Sequence, residues 1–324
     1  MIIIDKDLHE IGEADIDLDC EIGTSVDATN DFQLMNATIQ EAENAAGFYI
    51  PNTEIGGLFE YSKDKSGESA SLLRGYTWRG ILSKDIIRPP MGSDYMIVSG
   101  EANSVIATLM SGRFGDFFRV SSEDSGLTIT SYQFPLYINV LDGLEGMLEA
   151  YGYKLTIRAF KEASGEPIVI ELSATQATTL GGTMNEDSPI PLTYITDRMG
   201  INHLVCGGQG ELQNRMIVDL YIDDQGNISR TQHYFGFEER TEFFDYSSAE
   251  SEDDLVDAGT ERLKEIASHN ILGFKVPEDL ELEIGDLISA VFPRGEHIVT
   301  PIVSKLYKIV GGLVSTEYKL KGEN

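Results

Sequence analysis

Cysteine is nearly absent from this chain: of 324 residues, only Cys20 and Cys206 carry a thiol. Two thiols cannot form a disulfide framework in a chain of this length, so its stability has to come from packed cores. Cys20 stands in the apolar phase of an alternating stretch, residues 15–22, and reads as a buried structural thiol. Tryptophan is confined to Trp78. Long apolar runs are missing too; none approaches the roughly 18 residues that a membrane helix needs. The opening residues, Met1 to Asp7, have neither the basic start nor the apolar centre of a secretory signal, and this points to synthesis and folding in a cytoplasm.

Basic residues are scarce. Against 54 Asp and Glu there are 24 Lys and Arg, a formal net charge of −30. Nucleic acid as a bound ligand is excluded by that balance, because binding needs a basic footprint that releases counterions. Adhesion to an anionic membrane surface is opposed by the same repulsion. An acidic surface serves solubility, calcium binding, or passage of nucleic acid that must slide by without sticking. Composition does not choose among these.

What is present is β-pattern and turn chemistry. An apolar share of 41% is enough to build a core. Residues 15–22 alternate, with Ile16, Leu18, Cys20 and Ile22 inward and Asp15, Asp17, Asp19 and Glu21 outward. Further strands are expected at 48–50, 56–61 and 71–82, the last bent at Gly75 or Gly80, with a turn at 63–67. Arg88-Pro89-Pro90-Met91-Gly92 reads as a linker. A helix is expected over 101–110, closed by Gly112, and another over 140–151, closed by Gly152. Strands at 154–160 and 167–172 follow, then a loop over 175–191. Beyond it come a hairpin of 215–223 with 227–235, and a helix capped by Ser251 with Glu252, Asp253 and Asp254 in its first turn. The end reads as strands at 286–292 and 298–302, then a hairpin of 305–310 with 313–320 turning on Gly311-Gly312.

The expected fold class is therefore α+β and β-rich, with a first β-domain that is a small barrel or sandwich, a mixed region, and a second β-domain; that both are small β-barrel domains is what the resemblance given below implies. The expected boundaries are 1–97 for the first barrel-like domain, 98–190 for the α+β middle, and 191–324 for the second barrel-like domain with an inserted helix near 251–268.

Chemical motifs dissolve on inspection. The five histidines (His9, His203, His233, His269, His297) show no i, i+4 pair for zinc, and neither cysteine lies near enough to complete a site. The glycine-rich Val205 to Gly210 lacks the helix-starting Gly-Lys-Ser/Thr of a phosphate loop and reads as a bulge or tight turn. Asp223 to Asn227 resembles the start of a calcium loop but lacks the distal Glu, and reads as a hairpin turn. Acid pairs are unavoidable among 54 carboxylates; the Asp15, Asp17 and Asp19 row reads as a solvated face or a like-charged wall, not an acid/base pair. No catalytic, cofactor-binding or metal residue is assigned, no cofactor is expected, and the chain is not read as an enzyme.

Several blocks carry a resemblance. They are Asn52 to Leu58, Gly75-Tyr76-Thr77-Trp78-Arg79-Gly80-Ile81-Leu82, Ile86 to Tyr95, Asp17 to Ser25, Asn202 to Leu212, Asp223 to Ser229, and Ile284 to Ile288. Through them the chain resembles the siphovirus-type tail hub proteins encoded in prophages of Gram-positive bacteria. The Thr-Trp-Arg-Gly block is the specific part; the Gly285-Asp286 pair is generic. The resemblance implies a baseplate hub-like fold, a homotrimer in which two barrels per subunit alternate into a pseudo-six-fold ring, and a place in the virion at the tail tip. Tail-tube and distal tail proteins, and tip or receptor-binding proteins, are then the partners, with DNA passing transiently and no membrane bound. Many relatives continue into a lysin or receptor-binding region, and this chain stops at Asn324, so a hydrolase is expected elsewhere. The competing readings are a tail-associated peptidoglycan hydrolase fragment and a calcium-dependent carbohydrate-binding module.

Overall fold

A computed structural model describes residues 1–38, 44–63, 70–183, 192–196, 200–223, 226–249, 251–267, 270–274, 282–291 and 297–321. The chain groups into two compact units, one of residues 1–192 with 274–321 and one of residues 193–273. The segment expected as a single C-terminal domain, 191–324, is thus shared between them.

In the first unit seven strands come first: β1 (Ile2–Ile4), β2 (Glu10–Glu13), β3 (Asp17–Gly23), β4 (Asp31–Thr38), β5 (Gly47–Tyr49), β6 (Gly56–Lys63) and β7 (Ala70–Thr77), followed by a short helix α1 (Trp78–Leu82). The middle holds β8 (Ile97–Glu101), helix α2 (Ala102–Met110), β9 (Phe118–Val120), β10 (Thr128–Gln133), helix α3 (Val140–Glu149), β11 (Tyr153–Lys161), β12 (Ile168–Gln176) and β13 (Thr179–Thr183). Strands β14 (Leu192–Thr196) and β19 (Asn270–Phe274), which pair with each other, fall almost wholly in the second unit. The remaining strands of the first unit are β20 (Leu287–Val291), β21 (His297–Val310) and β22 (Leu313–Leu320).

One eleven-stranded sheet gathers both ends of the chain, in the order β13-β20-β21-β3-β4-β7-β6-β5-β1-β2, with β22 on β21. Among the described residues, its hydrogen-bonded path runs open from β13 to β2. Alternation explains β3: Leu18, Cys20 and Ile22 are buried while Asp17, Asp19 and Glu21 are half-exposed. Three rings, Phe32, Phe48 and Phe59, pack beneath the first strands, with the Phe32 and Phe48 centroids 4.8 Å apart and edge-to-face. The β21–β22 turn sits on Gly311 and Gly312 at φ 58° and 79°, the left-handed pair that a two-residue hairpin turn demands.

The middle segment forms its own layer. Helices α2 and α3 lay Val105, Ile106, Leu109, Leu141, Leu144 and Leu148 into a core shared with Leu155, Ile157, Ile170 and Leu172 of the β11-β12-β9 sheet. Their starts are fixed by side chains. Glu101 accepts from the backbone N–H groups of Asn103 and Ser104, and Asn139 accepts from that of Asp142.

In the second unit β15 (His203–Gly207), β16 (Ile217–Ile222), β17 (Ile228–Ser229) and β18 (Thr241–Asp245) form a sheet in the order β17-β16-β15-β18, and helix α4 (Glu252–Ile266) covers one face. Ser251 caps α4 by accepting from the Asp254 N–H, as its sequence signals. Leu255 and Leu263 pack on Leu204, Cys206, Val218 and Leu220. Gly259 makes the close approach: a Cβ there would lie 2.5 Å from Cys206 Sγ.

Four expectations shift. The stretch 71–82 is a strand only to Thr77; a side-chain cap then turns it into α1, a helix too short to show a period. The bend expected at Gly75 or Gly80 is replaced by a bulge on the partner strand: Phe59 pairs with Gly75 and Tyr61 with Arg74, so the extra residue is Glu60 of β6. Of the loop expected over 175–191, Thr179–Thr183 is a strand parallel to β20, while 184–191 lie outside the described residues. Residues 298–302 and 305–310 belong to one strand that pairs first with β20 and then with β3 and β22. The expected turn at 63–67 lies outside the described residues beyond Lys63.

Candidate functional site

The block Thr77-Trp78-Arg79-Gly80 is the most constrained part of the first unit. Thr77 Oγ1 accepts from the Gly80 N–H at 3.2 Å and donates to the Asn30 carbonyl at 3.0 Å, so one hydroxyl both starts α1 and ties it to the start of β4. Gly80 has to be glycine: a Cβ would stand 2.2 Å from the Asn30 oxygen. Trp78 is wholly buried and tilts against Phe117 at 5.8 Å. Its indole N–H has no hydrogen-bond partner among the described residues.

Arg79 is buried, and every arm of its guanidinium is used. Nε donates to Glu54 on the β5–β6 turn, Nη1 to Glu145 on α3, and Nη2 both to Glu54 at 3.2 Å and to the Leu155 carbonyl of β11 at 3.0 Å. Three pieces of chain, the β5–β6 turn, α3 and β11, meet on one planar cation, which matches the fixed fork geometry of arginine and would not be met by lysine. Two carboxylates face one guanidinium, so the cluster carries an excess negative charge when both are ionised. Burial raises Glu145 to about 7; Arg79 opposes that shift, while Asp142 and Glu54 add to it. Glu54 is likewise raised by burial, against the pull of Arg79. Both carboxylates are held by the same cation, which joins the segments that carry them.

A second buried joint uses Lys154, whose Nζ donates to Asp286 Oδ1 at 2.7 Å and meets Glu283 at 2.7 Å. Asp286 also accepts from the backbone of Thr178 and Glu283. The Gly285-Asp286 pair, generic as a motif, therefore locks the approach to β20 onto β11.

The acidic row on β3 is not a bare wall. Asp19 lies 4.0 Å from Lys308, Glu21 lies 3.5 Å from Lys319, and Asp17 accepts from the Gly311 N–H at 2.8 Å. The C-terminal hairpin thus brings lysines to the N-terminal carboxylates. Cys20 is buried between them in sequence, and desolvation pushes its thiol far above the ordinary range, so it is inert. Cys206 is pushed up to about 11 by burial, with Asp219 adding to the effect.

The glycine run after β15 turns its carbonyls toward Arg215, which donates to the oxygens of Gly207 at 3.2 Å and Gly208 at 3.1 Å. A loop that presents acceptors does not cradle phosphate. Asp223 accepts from the Asn227 N–H at 2.8 Å and Gly226 has φ 84°, a hairpin turn between β16 and β17; Asp224 and Gln225 lie outside the described residues. Among the described residues, no group of three or more His, Cys, Asp or Glu is placed to hold a metal ion, and no described helix is long and apolar enough to cross a membrane.

One cluster escapes sequence reasoning. His203 on β15 has Asp219 at 2.8 Å from Nε2, Glu239 at 2.8 Å and Thr241 at 3.1 Å from Nδ1, and it stacks on Tyr221 with centroids 4.2 Å apart. The strand register opposes His203 to Tyr221 and to Thr241, and only a correct pairing of 203–207 with both neighbours could have found it. A smaller contact joins Ser289 Oγ and His297 Nε2 at 2.8 Å across β20 and β21, on an exposed surface.

No protein-family model matches the chain, and no curated protein matches it. Solved structures do. A prophage tail protein from Listeria monocytogenes is 13% identical with a TM-score of 0.44, covering 99% of this chain and 94% of that one. A tail protein from Neisseria meningitidis is 11% identical with a TM-score of 0.40, covering 96% and 92%. A chain of the phage P2 baseplate in its activated conformation with calcium is 11% identical with a TM-score of 0.41, covering 98% and 90%. The chain is thus similar, along nearly its whole length, to tail and baseplate proteins of bacteriophages and prophages.

Proposed function

We propose that this chain is a structural tail-tip hub: a homotrimer whose two β-rich, barrel-like parts per subunit alternate into a pseudo-hexameric ring, joining the tail tube to the tip and letting DNA pass. The observation that carries this reading is the fate of the Thr77 to Gly80 block. Its residues are spent on internal joints, with Arg79 holding a turn, a helix and a strand at once. A part that bears mechanical load between tube and tip needs such joints and needs no reactive group. The net charge of −30 adds to it, because phosphates moving past an acidic wall do not adhere.

Removal of the coding sequence from the producing prophage tests the reading. Micrographs of the lysate are expected to show tubes without tips, or no tails. Intact, infectious tails lacking this chain would overturn it. The hydrolase alternative predicts clearing of peptidoglycan in a zymogram that is lost when one acidic pair is replaced; the structural reading predicts no clearing.

A further inference from the structure

We infer that His203 is a proton-operated latch on residues 230–240 of the second unit: with both ring nitrogens protonated it ties Asp219 of β16 to Glu239, and on giving one proton to solvent it lets Glu239 go.

The geometry asks for two protons on the ring. Asp219 Oδ1 lies 2.8 Å from Nε2, and Glu239 Oε1 lies 2.8 Å from Nδ1. A carboxylate oxygen at that distance attracts a nitrogen that carries hydrogen and repels one that presents a lone pair. Neutral imidazole has one nitrogen of each kind, so only the imidazolium satisfies both contacts. Tyr221 stacks on the ring with centroids 4.2 Å apart, and an aromatic face favours a cation. The other groups nearby bring no rival charge to the ring. Burial, then Asp219 and Glu239, push the Tyr221 hydroxyl upward and keep it a neutral phenol. Arg240 spends its Nε on the Gly200 carbonyl at 2.7 Å, and Glu242 accepts from Arg262 of α4 at 3.3 Å. Glu238 and His233 are exposed.

The second state has its partner already in place. Thr241 Oγ1 stands 3.1 Å from Nδ1. When the ring is neutral and keeps its proton on Nε2 for Asp219, the Thr241 hydroxyl donates to the bare Nδ1 and Glu239 faces a lone pair. Glu239 also accepts from Gln232 at 3.0 Å, a bond within residues 230–240 that does not tie them to the sheet.

The latched segment joins β17 to β18. It is held at its start by Arg230, which meets Glu252 of α4 at 2.5 Å. At its end the Asn202 side chain donates to the Glu238 carbonyl and accepts from the Arg240 N–H, both at 2.8 Å. Between these ends Phe235 and Phe237 stand 64% and 94% exposed. The tie through Glu239 is therefore complete in acid and lost as pH rises through the range in which histidine gives up its charge, about pH 5 to 8.

Hydrogen exchange of the full chain at about pH 5.5 and about pH 8, corrected for the intrinsic rate at each pH, tests the latch. Amides of residues 230–241 in wild type are expected to lose protection roughly tenfold at the higher pH. Glu239→Gln, whose amide serves either form of the ring, and His203→Gln, which does not titrate, are expected to change less than about twofold. Should His203→Gln unfold, Glu239→Gln decides alone. His233→Gln is expected to keep the wild-type response. Equal protection of the wild-type segment at both pH values, an undiminished response in Glu239→Gln, or a response abolished by His233→Gln overturns the latch.

Discussion

At the scale of single residues the informative groups are those whose charge is buried. Removing Arg79 would leave Glu54 and Glu145 facing each other without their cation. Arg79→Met is expected to cost roughly 3–5 kcal/mol, and most of that loss should return when Glu54→Gln and Glu145→Gln are added, because the penalty lies in the stranded carboxylates. Equilibrium denaturation of the single and triple variants reads this out. Glu145 gives a pH signature. Its folded value of about 7 lies above its ordinary 4.5, so the folded chain binds the extra proton between those limits, and stability falls as pH rises from about 4.5 to 7. Glu145→Gln should remove that slope, gaining up to roughly 3 kcal/mol at pH 8 relative to pH 5; a slope unchanged in the variant would locate the effect elsewhere. Glu101 has the opposite sign. Although desolvation would raise it, hydrogen bonds from Ser125 Oγ and from the N–H groups of Asn103, Ser104 and Ser125 hold it at about 2. Its contribution is complete above pH 4.5 and is lost as pH falls toward 2. Glu101→Gln should cost about 1–2 kcal/mol at neutral pH and nothing further in acid.

At the scale of elements, α4 approaches its sheet closely at Gly259. Gly259→Ala places a methyl 2.5 Å from Cys206 Sγ and 2.8 Å from Leu220 Cδ1, so a loss of about 1–3 kcal/mol is expected. Cys206→Ala in the same chain should restore much of it, which thermal melts of the two variants can check. This helix was legible from Ser251 and its acidic first turn, as were α2, α3, the β3 alternation and the Gly311-Gly312 turn, because each is specified by residues close in sequence. Helix α1 was not, since five residues are too few to show a period, and its cap residue Thr77 is held by Asn30, 47 positions away. The union of β3 with β21 was hidden for the same reason: it pairs residues from opposite ends of the chain. The His203 cluster and the Arg79 joint needed three-dimensional register to appear, although Arg79 had already been marked by the block it stands in. Local chemistry writes elements into a sequence; partners a hundred residues away leave no local trace.

At the scale of the whole molecule, charge and assembly are one question. The hairpin lysines meet the β3 carboxylates, so that row is partly neutralised within the fold and the excess acid has to lie elsewhere. In a ring that conducts DNA, a disproportionate share of it is expected on the inner wall, where fixed negative charge keeps phosphates from settling. A reconstruction of the intact tail by electron cryomicroscopy tests the central claim most directly. The account predicts three copies of this chain around an open, acid-lined channel at the junction of tube and tip; a tail in which the chain is absent, lies off the axis, or encloses a neutral channel would contradict it.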